Sequence, residues 1–179
     1  VGVSSSHEKY PEPNAVAGDL TRRSTWMAER GSRPPRILEV TLPRYYDLDS
    51  IVIHTGIPEA EKNANEKGQS AGFWNVKNFI VQYWDDANWT DLAETLTTEN
   101  RLDRVSFAFA VPVTSFRFRL YSTDGEAIRI LEFEGYGREN PTLAPPVLTD
   151  LKSLEPRDDN RSTDVRITVS PRQRGRTMK

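Results

Sequence analysis

Few of this chain's many charged residues sit where chemistry is obvious. Glu132 lies in Ile128–Arg138, IRILEFEGYGR, which alternates apolar and polar residues with one slip at Ile130-Leu131. The run ends on Gly135-Tyr136-Gly137, glycines that allow a tight chain exit. Alternation with period two marks a strand with one face on a core. Glu132 shares its parity with Ile128 and Ile130, which points it toward their side. A carboxylate there must be solvated, paired or bound to a cation. Upstream, Arg22, Arg23, Arg30, Arg33 and Arg36 crowd one region. Guanidinium groups pair bidentately with carboxylate or sulfate oxygens; the alternative is a solvated loop that offsets Asp19 and Glu29. His7 and His54 lie far apart, without metal-ligand spacing.

Of the four tryptophans, Trp74 follows the long polar stretch Gly56–Ala71 and is preceded by Phe73, which makes it a candidate exposed platform. An aromatic packed inside at a strand end is the alternative. Trp84, before Asp85-Asp86, reads either way. Catalytic signatures are missing from the sequence: it contains no Gly-x-Ser-x-Gly, phosphate loop, His-Glu-x-x-His or dinucleotide fingerprint. Acids are abundant, but none forms the recognisable carboxylate pair of a glycosidase. The absence of cysteine excludes disulfides, thiol catalysis and cysteine-bound metal sites. A net charge of −2 argues against a dedicated nucleic-acid binder. No apolar run approaches membrane-spanning length and no signal peptide is visible. The first residue is Val1 rather than Met, as expected of a processed protein or an excised domain.

The elements that must position these residues are short strands. Ile37–Leu42 and Ile51–Thr55 read as two strands, with Pro43–Ser50 turning the chain between them. Phe73–Trp84 reads as a strand rich in aromatic and β-branched residues, followed by the turn Asp85–Asn88. Asp91–Asp103 reads as a loop with room for one helical turn. Arg104–Val111 and Thr114–Tyr121 alternate clearly, the second with Phe116, Phe118 and Leu120 inward and Arg117 and Arg119 outward. Ile128–Tyr136 closes the set, and Val1–Pro13 reads as an edge strand or arm. Many short strands with almost no helical period predict an all-β fold, an antiparallel β-sandwich, over residues 1–138. Residues 139–179 read as a linker or extended C-terminal segment, with one further strand at Asp164–Ser170 and a basic tail.

Four pieces, in order, resemble the discoidin-type domains, also called coagulation factor 5/8 type C domains. They are Asn14–Asp19 leading to Ser24-Thr25-Trp26, Leu38–Leu42 followed by Ile51–Ile53, Phe79–Trp89, and Val113–Leu120 with Ile130–Gly137. The resemblance covers about Asn14–Arg138 and implies a galactose-binding domain-like jelly roll. It also implies a structural calcium held by the carbonyls of Asn14 and Leu131 and the side chains of Asp19, Ser24 and Glu132. Oxygen ligands suit that cation, but Ala17 stands where the family has an aspartate, and an arginine from the same loop is the competing partner for Glu132. By the same resemblance Trp26 and Trp89 pack structurally, and the ligand site lies in loops at one end of the sandwich. Aromatic faces and directed hydrogen-bonding side chains bind sugars. The candidate contacts are therefore Trp74, Arg22, Arg23, His54, Asn75, Lys77, Asn88 and Arg101, each also readable as an ordinary surface residue.

The function expected from this is a non-catalytic carbohydrate-binding module, monomeric, that holds an attached catalytic domain near a polysaccharide. The ligand would be an acidic or galactose-containing chain, with no nucleic acid or membrane partner. The setting would be secreted, at the cell surface or periplasmic. The competing readings are a protein-interaction or adhesion domain and a structural accessory domain on the same fold.

Overall fold

The computed structural model describes residues 2–3, 15–16, 18, 25–28, 33–55, 75–124, 128–144 and 146. Trp74, Arg22, Arg23, Arg30, Asn14, Ala17, Asp19, Ser24 and the segments 56–71 and 164–170 lie outside the described residues.

Among the described residues, seven strands follow one another: β1 (Gly2–Val3), β2 (Trp26–Met27), β3 (Arg36–Thr55), β4 (Phe79–Trp84), β5 (Trp89–Asp91), β6 (Arg104–Ser122) and β7 (Arg129–Glu139). The 3-10 turn Ala93–Thr95 falls within the loop expected at Asp91–Asp103. All pairings are antiparallel, in the order β2-β7-β3-β6-β4-β5, with β1 also on β3. The predicted all-β antiparallel sandwich is the fold observed.

The turn expected at Pro43–Ser50 is absent. β3 and β6 are long strands that bend, and each serves both layers of the sandwich. Layer one joins β1, the first half of β3, the second half of β6, β4 and β5; layer two joins the second half of β3, the first half of β6, β7 and β2. Prolines mark the bends. Thr41 pairs with Arg117 and Tyr46 with Ser115, which leaves Pro43 in the gap where its missing N–H breaks no ladder bond. Likewise Leu48 faces Val113 while Ser50 faces Ala108, so the stretch containing Pro112 bulges out of β6. The two expected strands Arg104–Val111 and Thr114–Tyr121 are therefore one.

The core lies between the layers. Leu38, Val40, Val81, Phe118 and Leu120 from layer one meet Ile51, Ile53, Ile130 and Phe133 from layer two. Phe79 of layer one meets Phe107 of layer two edge-on, with ring centroids 6.2 Å apart. Phe116, Phe118 and Leu120 are buried as expected, and so is Trp26. Each fully buried aliphatic side chain contributes roughly 1.5–3 kcal/mol.

Two further expectations fail for local reasons. Among the described residues of the expected 73–84 strand, those from Phe79 to Tyr83 pair with β6; just before them, the N–H groups of Lys77 and Asn78 go to the Asp124 carboxylate instead (2.7 and 3.1 Å). Gly137 does not let the chain exit. β7 continues to Glu139, and a Cβ at Gly137 would lie 2.1 Å from the Asp47 carbonyl oxygen, so glycine is required where β7 crosses the bend of β3.

Candidate functional site

Three places gather functional side chains. At one end of the sandwich, β3 finishes, β7 begins and the connecting segments are tied down by buried amides. The Asn100 side chain donates to the carbonyls of Val76 and Leu102 (3.0 and 3.1 Å) and accepts from the Leu102 N–H (2.9 Å). Asp124 also takes the Asn78 amide at 2.8 Å. Asn75, Lys77 and Arg101 lie at this end, but Asn75 is turned inward, 3% exposed, and donates to Asp103 at 3.3 Å. It is a structural amide, not an outward contact. Lys77 and Arg101 are exposed. Asn88 lies at the opposite end, in the turn after β4, where its N–H donates to Asp85 at 2.7 Å; it cannot act with the others. Of the arginine group, Arg36 is fully buried near Asp124, and burial lowers its pKa.

Glu132 also departs from its expected side. His54 pairs with Glu132 and Thr55 with Ile130, so the slip at Ile130-Leu131 is a bulge that reverses the parity of β7. Ile130 and Phe133 share the core face, whereas Glu132 lies with Glu134 and Tyr136 on the outer face. Its carboxylate is buried and accepts the Gly18 backbone N–H at 2.8 Å, which fastens the opening loop to the closing strand. Of the expected calcium ligands only Leu131 and Glu132 are described, and no group of three acidic or histidine side chains that could hold a metal occurs among the described residues.

The second place is the outer face of layer two. His54 is half-buried there, 3.7 Å from Glu134, and Tyr136 donates its hydroxyl to Glu134. Burial lowers the His54 pKa; Glu134 opposes this and Arg104 adds to it. Beside them is an open depression of about 460 Å³, lined by Ser50, Val52, Arg104, Ser106, Phe107, Ala108 and Tyr136. Pairing puts Arg104 opposite His54, and Ser106 and Glu134 on either side of Val52. The result is an apolar floor with hydroxyls on its walls, a cation at one end and an acid–imidazole–phenol cluster at its border. Arg104 is exposed and makes no ion pair among the described residues. Only His54 of this group was singled out from sequence, because the others meet through cross-strand register.

The third place is the outer face of layer one. Trp84 and Trp89 pair across β4 and β5, with ring centroids 5.6 Å apart at 69°. The Arg117 guanidinium carbon lies 5.1 and 5.0 Å from the two indoles, and that of Arg119 lies 4.3 Å from Trp89 and 5.8 Å from Tyr121. Trp89 is thus not packed in the core as expected; the register that buries Val81 and Leu120 puts the neighbouring pair Gln82 and Arg119 outside, and Trp84 and Trp89 with them. The legible signal was the turn Asp85–Asn88, which makes its two flanking tryptophans cross-strand neighbours.

No protein-family model matches this chain, and no curated protein shows significant similarity to its sequence. Solved structures do share its fold. The family 32 carbohydrate-binding module of Clostridium perfringens NanJ, solved with galactose, has a TM-score of 0.57 at 18% identity, over 73% of this chain and 88% of that one. The family 32 module of Streptococcus pneumoniae EndoD gives 0.58 at 17%, over 76% and 94%. The lectin domain of lectinolysin, solved with Lewis B antigen, gives 0.58 at 13%, over 76% and 90%. This chain shares the β-sandwich fold of these carbohydrate-binding and lectin modules.

Proposed function

We propose that this protein is a non-catalytic carbohydrate-binding module of the discoidin type, secreted or at a cell surface, which holds an attached enzyme near a polysaccharide. The observation that carries the reading is the layer-two depression. A concave site with an apolar floor, several hydroxyls and one unengaged guanidinium suits a pyranose that bears a carboxylate or sulfate. Ser50, Ser106 and Tyr136 meet the hydroxyls, Val52 and Ala108 meet C–H groups, and Arg104 meets the anion. Shallow recognition of this kind gives modest single-site affinity, and tethering raises the effective concentration of whatever is attached.

Calcium belongs to this proposal as a fastener of the opening loop, at Asn14, Asp19, Ser24, Leu131 and Glu132. The Gly18–Glu132 hydrogen bond already supplies part of that fastening. Chelation is expected to lower the melting midpoint; an unchanged midpoint rules out a stabilising calcium. Exposed Leu96 and Leu102, 66% and 63% accessible, favour protein contact at the buried-amide end as the second reading.

A glycan array probed with the native protein and with Arg104→Ala decides between them. Binding to uronate-bearing or sulfated chains that weakens about tenfold in the variant supports the module reading. Failure to bind any glycan, acidic or neutral, overturns it.

A further inference from the structure

The outer face of layer one is unused by the site above, yet it displays three large aromatic rings. Trp84, Trp89 and Tyr121 are all outside the buried core cluster, although each could bury a large apolar area. Their polar neighbours are engaged with one another. Two nitrogens of Arg117 donate to Glu39 at 3.1 and 2.6 Å, Arg119 donates to Gln82 at 2.6 Å, and Gln82 donates to Asp91 at 2.5 Å. Two guanidinium groups and two carboxylates leave the face with no net charge. An anion would have to displace Glu39 from a pair in which two Arg117 nitrogens share one carboxylate oxygen, with side chains 17% and 14% exposed, which opposes its binding. A neutral partner pays no such cost. The indoles meet at 69°, so they form a corner rather than a flat wall. One ring can lie against the C–H face of a sugar while the other meets its edge, and the Gln82, Asp91 and Arg119 heads lie beside it to engage hydroxyls.

We infer that this corner is a second carbohydrate site, which takes a neutral pyranose against Trp84 and Trp89. The inference rests on the module reading above. The two sites face away from each other across the core, because the outer surfaces of a packed sandwich point in opposite directions. One short glycan cannot occupy both. A module with both filled therefore bridges two chains, one acidic and one neutral.

Proton–nitrogen correlation spectra of the native chain test this, since the indole N–H signals of Trp84 and Trp89 report on this face directly. The probes are lactose and cellopentaose as neutral glycans, and an oligogalacturonate as the acidic one. The expected result is that a neutral probe shifts the Trp84 and Trp89 indole signals while the oligogalacturonate leaves them in place. Trp84→Ala should weaken the neutral probe about tenfold and leave the oligogalacturonate unaffected, with Trp84→Phe intermediate. Two results overturn the inference alone: binding of the acidic probe with no indole response to either neutral one, or a neutral affinity indifferent to Trp84→Ala. If no probe binds, the module reading falls as well. Should Trp84→Ala fail to fold, the indole shifts in the native chain and the Trp84→Phe affinity still decide.

Discussion

The two outer faces of this sandwich use arginine in opposite ways. On layer one, Arg117 lies over both indoles and is tied to Glu39, and Arg119 lies over Trp89 and Tyr121 and is tied to Gln82. On layer two, Arg104 stands exposed, with no ion pair among the described residues, beside a depression. A guanidinium already paired contributes to stability, and an unpaired one is available to a ligand. The same residue type therefore predicts different losses on the two faces.

The largest effect comes from the corner that both faces share. Gly137→Ala puts a Cβ within 2.1 Å of the Asp47 carbonyl oxygen and 2.7 Å of the Leu48 Cα, and backbone cannot give way as a flexible side chain can. A loss of roughly 3 kcal/mol or more is expected in denaturant melts, together with binding at both faces. Next is Arg117→Ala, which leaves the half-buried Glu39 carboxylate without the guanidinium that donates to it twice. It should cost about 2 kcal/mol of stability yet spare binding of acidic glycans. Arg104→Ala should do the reverse, with stability within about 0.5 kcal/mol and acidic-glycan affinity down about tenfold. Equal stability losses from the two variants would erase the distinction between the faces. Raising salt from about 50 to about 500 mM should weaken the acidic ligand at Arg104 and leave a neutral ligand at the tryptophans unchanged.

The smallest effect concerns pH. The pKa of His54 is lowered from its ordinary 6.5, so the folded state prefers the neutral imidazole. The unfolded chain then binds more protons in the window just below pH 6.5, and stability must fall as pH drops through it. A modest decline in melting temperature there, abolished in His54→Gln, is expected. Asp47, whose carboxyl is held below 3.8 chiefly by the Thr114 hydroxyl and Asn140 amide, loses its contribution only at lower pH. The two windows separate in a titration.

Strand identity was largely readable from the sequence, because alternation such as Phe116–Phe118–Leu120 against Arg117–Arg119 reports burial directly. Chain direction at Pro43 and Pro112 was not. A proline tells that a ladder bond is missing, and the same loss serves a reversal or a bend. The outward face of Glu132 was hidden for a related reason: the slip at Ile130-Leu131 was visible, but only the pairing with His54 and Thr55 shows that the parity flips there. Site residues were the least legible. Asn75 looked like a ligand contact because buried amides that brace loops have the same composition as amides that meet sugars. Arg104, Glu134 and Tyr136 come from distant stretches and converge only through register.

The bends of β3 and β6 have a consequence for how this domain fails. In many sandwiches each sheet owns its strands, and one sheet can peel from the other. Here two strands run through both layers, so neither layer can lose its hydrogen bonds without pulling on its partner. Amide exchange at Leu38 and at Ile53 should then report one shared opening event. Partial melting cannot switch off one face and spare the other, so the two surfaces can diverge only by changes to side chains.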